Sequence, residues 1–112
     1  MSDLDLMRGT LDVLCLKTLT GGPLHGYAVA RWIKDASEGA LLVEEGALYP
    51  ALHRLERKGW IEAEWGLSDN NRKAKYYRLT NRGLGALKAE ASSWDRYVNA
   101  VAKVLASEPG VA

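Results

Sequence analysis

The spacing of apolar residues predicts three helices in the first half of the chain. They span residues 4–19, 24–37 and 45–58, and glycines at positions 21, 22, 39 and 59 mark their ends. The third has the plainest apolar row, with Leu48, Leu52 and Leu55 at i, i+4 and i+7. Its Pro50 suits a helix only in or near the first turn, where the missing N–H costs little.

The first predicted helix is apolar on more than one side. Leu4, Met7 and Leu11 begin one helical row, while Val13 and Leu16 belong to another. Such a helix must be covered on more than one side, and a domain of 112 residues has only a thin core. We therefore expect a second subunit to pack against Leu4, Met7 and Leu11.

The second predicted helix has a simpler pattern. Ala28, Trp32 and Ile33 form its expected inner face. The apolar run at residues 41–43 is too short for a helix, and it predicts a single strand-like rung.

Beyond Gly59 the apolar period changes from about 3.6 to 2, as expected of strands. Ile61, Ala63 and Trp65 alternate with glutamates, and Tyr77 and Leu79 alternate in the same way with Tyr76 and Arg78. A polar segment over residues 66–74 joins the two runs. The pattern therefore predicts a two-stranded hairpin with a long polar tip.

The last predicted helix begins after a capping residue, Thr80 or alternatively Asn81, and carries three unbroken heptads. The heptad residues are Leu84, Leu87, Ala91, Trp94, Val98, Val101 and Leu105. This period is typical of a helix that packs along its length against another helix. Packing within one chain is the alternative, but the spare apolar surface of the first helix favours a homodimer.

The order helix, helix, helix, hairpin predicts a mainly α fold with a small β-hairpin, the winged helix-turn-helix. We assign residues 1–80 to a DNA-binding domain, 81–106 to a dimerisation helix and 107–112 to a frayed tail. In this architecture the third helix enters the major groove of double-stranded DNA, and the tip of the hairpin, or wing, reaches the flanking backbone or the minor groove.

Composition and net charge say less than the arrangement of charge. The chain is 47% hydrophobic and 26% charged, with a net charge of +1 that by itself speaks against a nucleic-acid partner. The segment 72–82 nevertheless holds five basic residues and no acidic one. Arg72, Lys73 and Lys75 are therefore candidate phosphate contacts, and a solvated basic hairpin is the alternative. On the third helix the candidates lie off the leucine row, and they are Tyr49, Pro50, His53, Arg54 and Arg57.

Other chemistry finds little support in the sequence. Cys15 lies among leucines, which indicates a buried thiol rather than a redox sensor. Two histidines and one cysteine do not make a metal site, and no catalytic motif is present, so we expect neither an enzyme nor a cofactor. No stretch approaches the ~20 apolar residues that span a membrane, and the acidic start does not resemble a secretory signal. We expect a cytoplasmic protein.

Three motifs resemble the PadR-like transcriptional regulators. They are His25-Gly-Tyr27, Gly46-Ala-Leu-Tyr-Pro-Ala-Leu-His-Arg-Leu55 followed by Gly59-Trp-Ile61, and the wing from Asn71 to Gly83. The resemblance covers nearly the whole chain, and the length is similar to a small subfamily with one C-terminal dimerisation helix. It implies a homodimeric repressor whose DNA affinity falls when an effector binds.

The resemblance also implies particular residue roles. Asn71 belongs to the DNA-contacting wing, and Tyr27 matches a tyrosine near the DNA backbone, where Gly26 would allow close approach. A tyrosine at the edge of the core is the alternative for Tyr27. Trp94, with the small Ala91 beside it, matches a tryptophan that sandwiches planar aromatic effectors across the dimer, although it could simply fill the dimer core.

One departure from the family pattern weakens the DNA-binding hypothesis. Glu44, Glu45 and Ala47 stand before the Leu-Tyr-Pro of the third helix, where many relatives have residues such as Ser or Thr. Carboxylates favour a helix N-terminus but repel phosphate. Two other functions therefore stay open. One is a small-molecule-binding dimer without DNA binding, and the other is a winged helix whose basic face meets an acidic protein.

Overall fold

The helices, the hairpin and the long final helix follow one another in the predicted order. A computed structural model describes residues 9–110. Its elements are α1 (Thr10–Thr18), a short 3-10 turn (Leu19–Gly21), β1 (Leu24–His25), α2 (Gly26–Ala36), α3 (Glu45–Arg57), β2 (Ile61–Leu67), β3 (Lys73–Leu79) and α4 (Asn81–Ala106). The fold is mainly helical with a small antiparallel sheet, and it is a winged helix-turn-helix.

The core lies where α1, α2 and α3 meet under the sheet. The predicted row of α3 is confirmed, because Leu48, Leu52 and Leu55 are all buried. Burying one leucine side chain stabilises the fold by about 1.5–3 kcal/mol relative to leaving it in water. The predicted inner face of α2 is wrong in one residue, since Trp32 is exposed and Val29 is buried instead.

Within the described residues, helix α1 begins at Thr10. Gly9 precedes it as the N-cap with a φ of 85°, a left-handed conformation that glycine adopts readily. The predicted start of the helix at residue 4, with Leu4 and Met7, lies outside the described residues. Leu11 is buried inside this chain's own core, which leaves it little surface for a partner.

A third strand, β1, occupies residues that the sequence assigned to the second helix. Leu24 pairs with Tyr77 and His25 with Tyr76, so the sheet order is β1-β3-β2. Helix α2 consequently begins at Gly26, with His25 as its N-cap. The strand-like rung expected at residues 41–43 is absent, because that segment is irregular in the structure.

Pro50 lies farther into α3 than the sequence argument allowed. It is the sixth residue of the helix, in the second turn, so its ring nitrogen cannot donate to the carbonyl of Gly46. Both residues are exposed, and water can therefore reach the carbonyl that lost its helical partner.

The hairpin is longer than predicted and its loop is shorter. Ile61 pairs with Leu79 and Leu67 with Lys73, which leaves only residues 68–72 in the loop. The first strand therefore runs past the core. Ile61 is buried at its start, whereas Trp65 and Leu67 extend into the wing and are exposed.

Helix α4 is fixed at its beginning and exposed along the rest of its length. The predicted cap is confirmed, since Thr80 Oγ1 accepts a hydrogen bond from the Gly83 N–H at 3.0 Å and donates one to the Gly59 carbonyl at 2.7 Å. Within the helix Gly83 and Leu87 are buried, and from Lys88 onward every described residue is exposed. No helix within residues 9–110 has an apolar stretch long enough to cross a membrane.

Candidate nucleic-acid interface

A concave surface of about 650 Å³ lies between the start of α2, the outer side of α3 and the wing. Six of the residues singled out from the sequence line it, namely Tyr27, Tyr49, His53, Arg72, Lys73 and Lys75. These residues come from three separate segments of the chain. The fold therefore brings the candidate helix residues and the candidate wing residues into one site.

The lining of this concavity contains no acidic residue. It holds three cationic side chains and two histidines beside aromatic, small and neutral polar residues. A surface with charge of one sign attracts a ligand of the opposite sign, whatever the net charge of the protein. The concavity therefore suits an anionic ligand such as the phosphate backbone of DNA.

The ring of Tyr49 packs against Gly26. A Cβ atom on Gly26 would lie 2.8 Å from Cε1 and 3.0 Å from the hydroxyl of Tyr49, so only glycine leaves room for that ring. Tyr49 thus gives Gly26 a structural reason to be glycine, and the close approach of DNA to Gly26 stays a prediction. Tyr27 is 65% exposed, which rules out its alternative placement at the edge of the core.

The loop of the wing is a hydrogen-bonded turn. Ser68 accepts the Asn71 N–H on its carbonyl at 2.8 Å, and its own N–H donates to the carbonyl of Arg72 at 2.8 Å. Asn71 has a φ of 62°, which asparagine tolerates better than most residues. Asn71 is exposed at the tip and does not line the concavity, whereas Arg72 and Lys73 next to it do.

Acids from β2 and α3 neutralise part of the basic segment. Arg78 pairs with Glu62 across the strands at 2.7 Å, and Lys75 lies 3.5 Å from Glu56 of α3. The basic segment contains no acidic residue itself, but acidic side chains from other elements pair with two of its cations in the folded chain. Within residues 9–110, Arg72 and Lys73 are the wing-tip cations that make no ion pair, and the Lys73 ammonium lies 5.1 Å from the ring centre of Trp65.

Arg54 faces α1 rather than the concavity. Its guanidinium donates to the Asp12 carboxylate at 2.8 Å, and this hydrogen bond holds the pKa of Arg54 above its ordinary value. The pair joins α3 to α1, which argues against a free DNA contact by Arg54. Pro50 and Arg57 are exposed on α3 but also lie outside the lining of the concavity.

Several residues of the surface escaped the sequence argument. His25 and Trp65 line the concavity, and Arg31 and Lys34 line a second groove that shares Tyr27 with it. Tyr27, Arg31 and Lys34 follow the i, i+4, i+7 spacing of one helix face, a signal that the sequence does contain. No sequence signal indicated that Trp65 is exposed. Alternation along the strand places Trp65 on the same face as the buried Ile61 and therefore predicts burial.

The exposed part of α4 presents a second candidate surface. A groove of about 490 Å³ lies between α1 and α4, lined by Val13, Leu14, Trp94 and Tyr97 among others. The rings of Trp94 and Tyr97 lie 6.0 Å apart. Trp94 therefore lines a groove of the single chain, in which Ala91 takes no part and Tyr97 does. The sandwich across the dimer that the resemblance implies stays a prediction.

The apolar stripe of α4 is broader than the heptad pattern alone. Leu84, Trp94, Val98, Val101 and Leu105 are exposed, and so are Tyr97 and Val104 beside them. Leu87, by contrast, is buried in the core of this chain.

Cys15 is a buried thiol, as expected. Burial raises its pKa to about 12, and the nearby carboxylate of Asp12 acts in the same direction. A thiol held in its protonated form is a poor nucleophile, so the redox-sensing alternative has no support.

Comparisons with known proteins agree with this architecture. Residues 15–89 match the model of the transcriptional regulator PadR-like family. The crystal structure of a PadR family transcriptional regulator from Eggerthella lenta is 34% identical, with a TM-score of 0.77 over 90% of this chain and 86% of that one. A transcriptional regulator from Clostridium thermocellum is 28% identical, with a TM-score of 0.78 over 86% and 93% of the two chains. An uncharacterised protein of Lysinibacillus sphaericus is 32% identical over 90 residues, 80% of this chain and 83% of its own.

Proposed function

Since this chain belongs to the PadR-like family of DNA-binding transcriptional regulators, which are not enzymes, we propose that it is an effector-responsive repressor. It acts in the cytoplasm and binds a two-fold-related operator as a homodimer. The observation that carries the proposal is the concavity lined by Tyr27, Tyr49, His53, Arg72 and Lys73, because it joins hydrogen-bond donors on α3 to unpaired cations on the wing.

The two sides of the concavity take different parts in the proposed contact with DNA. Tyr49 and His53 are exposed one turn apart on α3, where side chains can reach the edges of bases in the major groove. Arg72 and Lys73 lie on the wing, where they can reach phosphates. Lys75, held near Glu56, contributes less charge to the DNA than its position in the sequence suggests.

The wing assignment predicts a specific loss of salt dependence. Arg72→Ala or Lys73→Ala should weaken binding to all DNA sequences, and should flatten the slope of log K against log salt by about one unit for each wing engaged. Titration of a duplex from upstream of the chain's own coding region, at several salt concentrations, measures both quantities. Lys103→Ala on the exposed end of α4 is the matched control and should change neither.

Two results would contradict this proposal. If the wing variants altered sequence preference alone, Arg72 and Lys73 would be base contacts rather than phosphate contacts. If wild-type binding were indifferent to salt and sequence, the chain would not be a DNA-binding repressor. A winged helix that meets an acidic protein partner would then be the better hypothesis.

The exposed stripe of α4 supports the proposed homodimer. Apolar side chains recur along the helix from Leu84 to Leu105, which is the pattern of a helix that packs against a partner helix. A helix of 26 residues is about 39 Å long. That length is enough to hold the DNA-binding domains of two subunits about 34 Å apart, which is roughly one turn of DNA. We propose that this helix sets the spacing of the half-sites.

The groove beside Trp94 supports an effector site for small planar aromatic molecules. The indole of Trp94 and the phenol of Tyr97 offer broad polarizable faces, and Val13 and Leu14 complete an apolar wall. This same observation favours the second candidate function, a dimer that binds a hydrophobic small molecule without binding DNA.

A fluorescence titration tests the effector site. A planar aromatic dye should quench tryptophan emission of the wild-type chain, and Trp94→Ala should remove that quenching. Trp32→Phe, at an exposed position of α2, is the matched control and should keep the quenching. Equal quenching in wild type and Trp94→Ala would place the dye elsewhere. DNA binding that the dye leaves unchanged would separate ligand binding from regulation.

A further inference from the structure

His25 stands where two of the segments that form the concavity meet, the wing and the start of α2. As a residue of β1 it pairs with Tyr76 of the wing, and as the N-cap of α2 it precedes the helix that carries Tyr27. Its ring lies against both tyrosines, with centroids 6.4 Å from that of Tyr27 and 5.8 Å from that of Tyr76. These contacts fix the plane of the imidazole at the edge of the site.

The hydrogen bond of the cap decides which ring nitrogen carries the proton. Nδ1 of His25 accepts the Ala28 N–H at 3.2 Å, so Nδ1 has no hydrogen of its own. In a neutral imidazole the hydrogen then resides on Nε2. His25 also lines the acid-free concavity, where Arg72 and Lys73 are the nearby wing-tip cations.

We propose that His25 is a DNA-contacting residue that donates its Nε2–H to a phosphate oxygen. This inference rests on the proposed DNA binding and adds a contact of a different kind to it. A cation on the wing releases counterions when it meets a phosphate, whereas a neutral donor does not. The contact therefore adds affinity and fixes the position of the backbone without adding to the salt dependence.

Two substitutions separate the capping nitrogen from the donating nitrogen. In His25→Asn, the side-chain oxygen can replace Nδ1 as the cap, because asparagine is among the best N-cap residues, but no group reaches the position of Nε2. In His25→Gln, the amide reaches the position of Nε2 and can donate there, while the cap is lost. The first variant should keep its Tm and bind DNA about tenfold more weakly. The second should lose several degrees of Tm and keep most of its affinity.

The experiment titrates both variants with the upstream duplex at several salt concentrations, well below either Tm, beside the wild type and Lys73→Ala. His25→Asn should keep the wild-type salt slope, while Lys73→Ala flattens it. Unchanged affinity in His25→Asn would overturn the contact, and so would parallel losses of Tm and affinity in both variants, which indicate a purely structural role. If the slope of log K against log salt fell by about one unit in His25→Asn, His25 would be contacting the phosphate as a cation. That result would contradict the proposal of a neutral donor.

The wild type and Lys73→Ala distinguish failure of this inference from failure of the proposed function. A wild-type chain that binds no DNA would overturn both. A wild-type chain that binds DNA with a salt slope lowered by Lys73→Ala, beside an unaffected His25→Asn, would overturn the histidine contact alone.

Discussion

Val98→Glu should convert the proposed dimer to a monomer and weaken operator binding by about 100-fold or more. Val98 lies at the middle of the exposed apolar stripe of α4 and is 39% exposed in the single chain. In the proposed dimer, each new carboxylate would be buried in the apolar interface between the subunits, and a buried unpaired charge is strongly unfavourable. Separate monomers would also lose the gain in affinity that comes from linking two DNA-binding domains.

The neighbouring residue supplies the matched control. Asn99→Glu adds the same charge one position along α4, but to a polar site off the heptad row, so it should stay dimeric and bind DNA nearly as the wild type does. Light scattering after size-exclusion chromatography measures the mass, and titration with the upstream duplex measures the affinity. A dimeric Val98→Glu would show that the subunits meet elsewhere. A monomer with full affinity would show that one DNA-binding domain is enough to bind the operator.

Gly83→Ala should be the most destabilising small substitution in α4. A Cβ atom at Gly83 would overlap the carbonyl oxygen of Trp60 and lie 2.8 Å from Cδ1 of Leu79. The carbonyl belongs to the backbone at the root of the wing and also accepts the Thr80 N–H at 3.1 Å, so it cannot move aside without breaking that bond. Overpacking of this kind costs about 3 kcal/mol, which corresponds to a Tm lower by more than about 10 °C.

Gly85→Ala, two residues farther along the same helix, should have the opposite effect. Nothing lies within 4 Å of a Cβ atom placed there, and replacing glycine by alanine in an exposed helix stabilises it by about 0.5–1 kcal/mol. Thermal unfolding at one protein concentration compares the two variants, because the Tm of a dimer depends on concentration. Equal Tm values for Gly83→Ala and wild type would mean that the start of α4 lies farther from the Trp60 carbonyl than the structure shows.

Most of the fold follows from patterns within single elements. The leucine row of α3, the change to a two-residue period after Gly59 and the Thr80 cap are local signals, since each depends on residues a few positions apart. Boundaries were predicted less well. Strand β1 was missed because two residues are too few for a period, and the pairing of Leu24 with Tyr77 joins segments far apart in the chain.

The candidate site was predicted in part for the same reason. The sequence identified Tyr27, Tyr49 and His53 because they lie in motifs shared with the family. It identified the wing cations because they form a run of like charge. It could not assign partners to those charges. Asp12 and Arg54 are 42 residues apart, and no local pattern indicates that they meet. His25 opens one of the motifs, but its place in the lining depends on strand β1, which the pattern did not reveal.

The amino-acid sequence by itself therefore determined the order of the helices and the hairpin, the leucine row of α3, the apolar row of α4 and the family to which the chain is similar. Helical and strand periods are properties of a short segment, so they can be found in one sequence. The tertiary structure alone decided which cations are neutralised, which apolar residues stay exposed and which side chains share the concavity. Ion pairing and burial depend on distances between segments, and folding is what sets those distances.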